Sequence, residues 1–205
     1  MHRVGILLAG CGAHDGSDIH ETVLAALALE RALLRPVYFA PADVLGPVVD
    51  HASGAEDPAS GSRSVLVESA RLARGRVEPF DPASASDVAA LVIPGGLGLL
   101  RHLMQDVLVP GKRARIAPQA AAVFTGLRAR GVPFATIGLA HVLLEALGEP
   151  LPVDPLTAAP DRAVADPARG LAWTPGFLGA HGLDEAARGI GALVDALAPM
   201  LGRRN

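Results

Sequence analysis

The chain has 205 residues, half of them hydrophobic, with 18 Lys and Arg against 21 Asp and Glu. That length fits one domain with a sizeable core, and a net charge of −3 leaves no electrostatic footprint for nucleic acid. A lone cysteine, Cys11, excludes an internal disulfide, and no apolar run approaches the ~20 residues a membrane helix needs. Aromatics make up 3% of the chain, which predicts an aliphatic core of helices on a parallel sheet. The apolar run after Met1 is too short for a signal peptide and leads into a core strand, so a cytoplasmic protein is expected.

In chain order, Val4 to Ala9 reads as a buried strand closed by Gly10-Cys11-Gly12. A helix starts near Asp18, with Ile19, Val23, Leu24, Leu27 and Leu34 giving the apolar face at helical spacing. Pro36 to Ala40 is a second strand. Residues 41–63 read as irregular, because Pro41, Pro47 and Pro58 with several Gly, Ser and Asp break any period. Ser64 to Arg74 is helical, with Gly75 as its C-cap. A strand from Val88 to Ile93 ends in Pro94-Gly95-Gly96. A short helix is expected over 99–105 and a longer one over 117–130. The strand 134–140 runs into a helix at 141–147, forming a sharp strand-to-helix turn at Gly138. Residues 150–170 read as loop, 171–174 as a last strand and 182–201 as a last helix.

Strands that are apolar on both sides, alternating with helices, predict a parallel sheet covered on both faces. Ligands bind such sheets at the carboxyl ends of the strands. The loops after the first strand, after Ile93 and at 138 are therefore the candidate site. Gly10-x-Gly12 lacks the third glycine of a dinucleotide fingerprint, and no His/Cys/Asp/Glu spacing of the zinc type occurs. No cofactor and no metal are expected.

Three stretches carry a family resemblance. They are Gly10-Cys-Gly-Ala-His-Asp-Gly-Ser-Asp-Ile-His-Glu21, Val65-Leu-Val-Glu-Ser-Ala-Arg-Leu-Ala-Arg-Gly75, and Ile93-Pro-Gly-Gly-Leu-Gly98. Together they resemble the ElbB family, glyoxalase-like proteins linked by name to isoprenoid biosynthesis. That family lies within the PfpI-type, or class I glutamine-amidotransferase-like, superfamily. The resemblance covers about residues 3–148 and resumes at Thr174-Pro175 and the last helix. It implies a flavodoxin-like three-layer α/β/α sandwich with a mostly parallel sheet, formed as one domain over 1–205. It also implies a site made of a Cys at the strand-to-helix elbow, a Glu from the first helix and backbone amides after Pro-Gly-Gly.

The elbow here departs from that pattern. The usual sequence resembles Ile-Cys-Ile-Ala-Pro, whereas this chain has Ile137-Gly138-Leu139-Ala140-His141. The stretch from the elbow to Thr174 is also shorter than in relatives. Glycine tolerates an elbow's backbone at no steric cost, so replacing Cys by Gly keeps the turn and removes the nucleophile. Glu21 aligns with the family's proton-shuttling acid. It also stands three residues after Asp18, the spacing of a capping box. Gly95 and Gly96 are candidates to present amides to an oxyanion or carboxylate, with Asp18 beside them. His141 is a candidate to point into the pocket, and Cys11 is the only thiol available for covalent chemistry.

Three functions follow as expectations. The first is a divergent member that binds a small molecule or a partner without Cys-dependent glyoxalase turnover. The second is an active lyase-like enzyme on small aldehydes, with its chemistry carried by Glu21, His141 or Cys11. The third is a structural homo-oligomeric subunit, a dimer in the simplest case. None involves nucleic acid or a membrane.

Overall fold

The structure is a computed structural model and describes every residue except Pro47, Leu108, Pro152, Leu156 and 203–205. Those positions, which fall in the irregular segments expected at 41–63, 99–115 and 150–170 and at the chain end, lie outside the described residues.

A seven-stranded sheet forms the centre of the molecule. Its strands are β1 (Arg3–Leu7), β2 (Arg35–Ala40), β3 (Val77–Pro79), β4 (Ala90–Ile93), β5 (Phe134–Ile137), β6 (Val164–Asp166) and β7 (Leu171–Thr174). They lie in the order β6-β7-β5-β4-β1-β2-β3. Every neighbouring pair is parallel except β6 with β7. The helices are α1 (Ile19–Arg31), α2 (Val65–Leu72), α3 (Gly98–His102), α4 (Pro118–Ala129), α5 (His141–Ala146) and α6 (Leu183–Leu197). This is the flavodoxin-like sandwich expected from the sequence.

Period-two alternation along the strands sends side chains to two separate cores. Val4, Ile6, Val92, Ala135 and Ile137 pack with Leu29 of α1 and Ile190, Leu193 and Val194 of α6. Leu7, Phe39, Leu91, Ile93, Phe134 and Trp173 pack with Phe124 and Leu127 of α4 and with Leu143 and Leu144 of α5. The first core is aliphatic, as expected. The second is not: Phe39, Phe80, Phe124 and Phe134 form a chain of tilted and edge contacts with centroids 5.3–6.3 Å apart. Scarce aromatics have been concentrated in one layer, where each large ring buries the most area.

The remaining differences lie on one helix face, at element ends and in short pairings. Ile19, Val23 and Leu27, expected to form the apolar face of α1, are exposed, and the face with Ala25 and Leu29 is buried instead. β1 stops at Leu7, because the amide of Ala9 turns to Ser17 Oγ at 2.9 Å. α1 ends at Arg31, which leaves Leu34 buried in the approach to β2 and off the helix face. α2 ends at Leu72, and Arg74 and Gly75 follow with positive φ. The strand expected from Val88 begins at Ala90, and α3 stops at His102. Two-residue antiparallel ladders join 44–45 to 63–64 and 48–49 to 56–57 in a stretch read as irregular. Met104–Gln105 pairs with Arg115–Ile116. Two edge strands, β3 and β6, were not expected, because each is only three residues long and carries a charged residue. Pro79 sits at such an edge, where a missing N–H costs no ladder bond. β5 ends at Ile137, and Gly138–Ala140 is a 3-10 turn. α6 ends at Leu197, followed by a further 3-10 turn. No helix among the described residues is long and apolar enough to cross a membrane.

Candidate functional site

The carboxyl ends of β1, β4, β5 and β7 converge on one side chain, that of Glu21 in the first turn of α1. Asp18 is the N-cap of that helix, and its Oδ1 accepts from Glu21 N at 2.9 Å. Only this half of a capping box forms. The amide of Asp18 donates instead to Gly95 O at 2.9 Å. The Glu21 carboxyl turns inward, accepting from Gly95 N at 2.7 Å through Oε2 and from Phe177 N at 2.9 Å through Oε1. Glu21 is 3% exposed. Burial pushes its carboxyl up to about 7, and Asp18 reinforces the rise. The amides of Phe177 and Gly95 oppose it, because each stabilises the anion.

Gly138 sits at the elbow with φ +55°, the left-handed conformation that a side chain resists. A Cβ built there would stand 2.8 Å from Glu21 Oε1. The acid therefore fills the space from which an elbow side chain would start. The carbonyl of Gly138 accepts from Trp173 Nε1 at 2.9 Å and lies 3.0 Å from His141 Nδ1. A carbonyl can only accept, so that ring nitrogen carries the proton. The His141 ring also meets Trp173 edge-on at 6.0 Å. His141 thus braces the elbow's backbone.

The amide of Gly95, read from the sequence as an oxyanion donor, is occupied by Glu21. Gly96 has φ +105°, and a Cβ there would meet Gly16 O at 2.3 Å and Asp18 N at 2.7 Å. It serves the close approach of the β1 loop to the β4 loop. Cys11 is not part of this cluster. Its charged neighbours are Glu68, Arg71 and Asp15, and burial together with the two acids pushes the thiol up, against the pull of Arg71. A raised thiol is a poorer nucleophile at neutral pH. Among the described residues, no three His, Cys, Asp or Glu side chains form a metal-holding group.

Three contributors escaped the sequence reading: the Phe177 amide, Gly176 and the Trp173 indole. Gly176 has φ +52°, and a Cβ there would come within 2.2 Å of Glu21 Oε1. The available signal was Thr174-Pro175-Gly176 directly after a strand, a loop on the same rim as the other three. The β1 loop is fixed by two buried serines: Gly10 N donates to Ser69 Oγ and Ala9 N to Ser17 Oγ, both at 2.9 Å.

This fold, with an acid from the first helix set against a strand-to-helix elbow, is a doubly wound α/β/α sandwich whose candidate site lies at the carboxyl rim of the sheet. No family model matches the chain. It is 35% identical over 142 residues to the human glutamine amidotransferase-like class 1 domain-containing protein 3, mitochondrial, matching 69% of this chain and 52% of that protein. It is 34% identical over 141 residues to the rat ES1 protein homolog, mitochondrial, with the same coverage of 69% and 52%. The chain therefore spans about half the length of these curated relatives. Among solved structures, an isoprenoid biosynthesis protein with an amidotransferase-like domain from Ehrlichia chaffeensis superposes with a TM-score of 0.84 at 24% identity, over 97% of this chain and 100% of that one. A DJ-1 superfamily protein from Salmonella typhimurium superposes at 0.52 with 18% identity, over 98% and 94%. The chain is a homologue of glutamine amidotransferase-like class 1 domain proteins.

Two predictions follow from the geometry. The folded-state carboxyl of Glu21 titrates near 7, against an ordinary 4.5. Between those values the folded state holds more protons than the unfolded one, so its contribution to stability is present below the lower value and lost as pH rises through the upper one. The full swing is on the order of 3 kcal/mol. Denaturant melts from pH 4 to 8 should show a fall in the wild type that is absent from Glu21→Gln; parallel curves for the two proteins would refute it. Second, Gly138→Ala should cost about 1–3 kcal/mol, from the left-handed φ and the contact with Glu21. Gly126→Ala, at a helical glycine with open space around its Cβ position, should stabilise by about 0.5–1 kcal/mol. Equal effects at the two positions in urea titrations would refute the strained elbow.

Proposed function

We propose that this chain is a member of its family that binds a small molecule without Cys-dependent glyoxalase turnover. One observation carries the reading: the elbow residue is Gly138, and Glu21 Oε1 lies 2.8 Å from where its Cβ would be. An elbow holds a nucleophile ready for attack, and with no reactive atom there a covalent adduct with an aldehyde cannot form. Cys11 does not replace it, because burial first, and then Glu68 and Asp15, push its thiol up against the pull of Arg71. What survives is an acid with a midpoint near neutrality, able to hold or release one proton toward a ligand at the rim. Purified protein should consume methylglyoxal no faster than its Glu21→Gln variant. Robust turnover that persists in Cys11→Ser and disappears in Glu21→Gln would instead establish an enzyme that works without a thiol.

A homo-oligomer is a second reading, and a different observation favours it. Ile19, Val23 and Leu27 fall at every fourth position of α1 and are 43%, 52% and 39% exposed. They form one apolar stripe, with Leu183 of α6 also exposed. Light scattering at micromolar concentration should give a dimer that Val23→Glu converts to a monomer. A wild-type monomer would remove this reading.

A further inference from the structure

Helices α1 and α6 cover the same face of the sheet, and both start at its carboxyl rim, α1 after β1 and α6 after β7. They therefore run side by side in one direction. Each turns outward a ridge of residues spaced four apart. On α1 the ridge is Ile19, Val23, Leu27 and Arg31; on α6 it is Leu183, Ala187, Gly191 and Asp195. The first ridge is large throughout, and the second is small at its middle. A groove of about 240 Å³ lies between them, with Leu24, Leu27 and Ala28 on one wall and Ala187, Gly191 and Val194 on the other.

Gly191 is a residue that its own chain does not explain. It stands inside a 15-residue helix, where glycine is less favourable than alanine. A Cβ built on it meets nothing within 4 Å. Two residues earlier, a Cβ on Gly189 would meet Pro160 O at 2.2 Å, so that glycine is required by internal packing. Gly126 of α4 is as open as Gly191, but its ridge neighbours Ala122 and Arg130 bring no large apolar side chain beside it. The floor at Gly191, by contrast, is flanked by the exposed Val23 and Leu27 ridge of the neighbouring helix. Knobs and a hole of matching character thus share one face.

Charge selects what fills the hole. Arg31 closes the α1 ridge, whereas the first turn of α6 carries Asp184 and Glu185. A two-fold axis between the helices reverses the direction of a second copy, so the basic end of one meets the acidic end of the other, and every contact occurs twice.

We propose that this face is an interface between two copies of the chain, in which the α1 ridge of each lies antiparallel in the α1–α6 groove of the other. The inference rests on the homo-oligomer reading above and specifies its geometry. Val23 sits over the partner's Gly191 and Leu27 over the partner's Ala187, large on small at both positions. Arg31 lays its stem on the partner's Leu183 and its guanidinium against the partner's Asp184. Asp195 comes to the amino end of the partner's α1, where the helix dipole favours a carboxylate. Stacking α1 on α1 would instead set Val23 against Val23 and leave the groove empty.

Oxidative cross-linking of the full chain carrying Cys11→Ser tests this arrangement. Val23→Cys together with Gly191→Cys should give a disulfide-linked dimer, because only that pairing brings the two Cα atoms within the roughly 7 Å a disulfide spans. Either cysteine alone should link at least about tenfold more slowly. Gly191→Leu fills the groove and should give a monomer by light scattering, with far-UV circular dichroism retained. Gly126→Leu, at the open glycine of α4, should leave the dimer intact. A wild-type monomer overturns both this arrangement and the homo-oligomer reading. A wild-type dimer in which Val23→Cys links as fast alone, or in which the double variant fails to link, overturns the arrangement and leaves that reading standing. A folded Gly191→Leu protein that is still a dimer overturns the arrangement as well.

Discussion

The rim of this molecule depends on one buried carboxyl. Glu21 accepts hydrogen bonds from Gly95 and Phe177, residues 74 and 156 positions away in the chain, while facing Gly138. Loops after β4, β5 and β7 are thus drawn onto the first turn of α1. The anion of that carboxyl is opposed by desolvation on burial and by the charge of Asp18, and these together outweigh its two amide donors. Two bonds suffice to orient the group without making its anion cheap. Removing the side chain would leave two buried amides with no acceptor, which is why the acid can hold the loops together whether or not it takes part in chemistry.

The elbow keeps its turn with glycine because the backbone around it is determined from several sides. Gly138 keeps a left-handed φ, and its carbonyl receives the Trp173 indole and the His141 ring. His141 stands where the family pattern has a proline. A proline fixes the chain by its ring, whereas this histidine reaches back three residues to the carbonyl. The change of side chain therefore exchanges one way of holding the turn for another. Gly176, also left-handed, leaves room for the same Glu21 oxygen, Oε1. With glycine at both positions, backbone from two loops approaches that oxygen.

Much of this was legible in the sequence, and the rest failed for local reasons. The parallel sheet followed from strands that are apolar on both faces, and the rim loops followed from where those strands stop. Glu21, Gly95 and Gly138 were picked out by residue type, spacing and resemblance. What could not be read was the direction of the Glu21 side chain. Its spacing from Asp18 fits a capping box equally well, and only the folded chain sends its carboxyl to Gly95 and Phe177. The edge strands Val77–Pro79 and Val164–Asp166 carry too few apolar residues to announce themselves. Phe177 is 156 positions from Glu21, and only sheet order brings β7 beside β5.

Glycine at 138 also changes what the neighbouring acid can be. Beside a thiolate, a carboxyl is held neutral by the like charge as well as by burial. Here no such charge is present, and the rise to about 7 is carried first by desolvation, with a contribution from Asp18. The Glu21 charge is then set by how dry the rim is and not by a redox-sensitive partner. Anything that seats on Phe177 and Gly95 and excludes more water favours the neutral acid, and anything that admits water favours the anion. With glycine at the elbow, the protonation equilibrium of Glu21 follows the hydration of the rim.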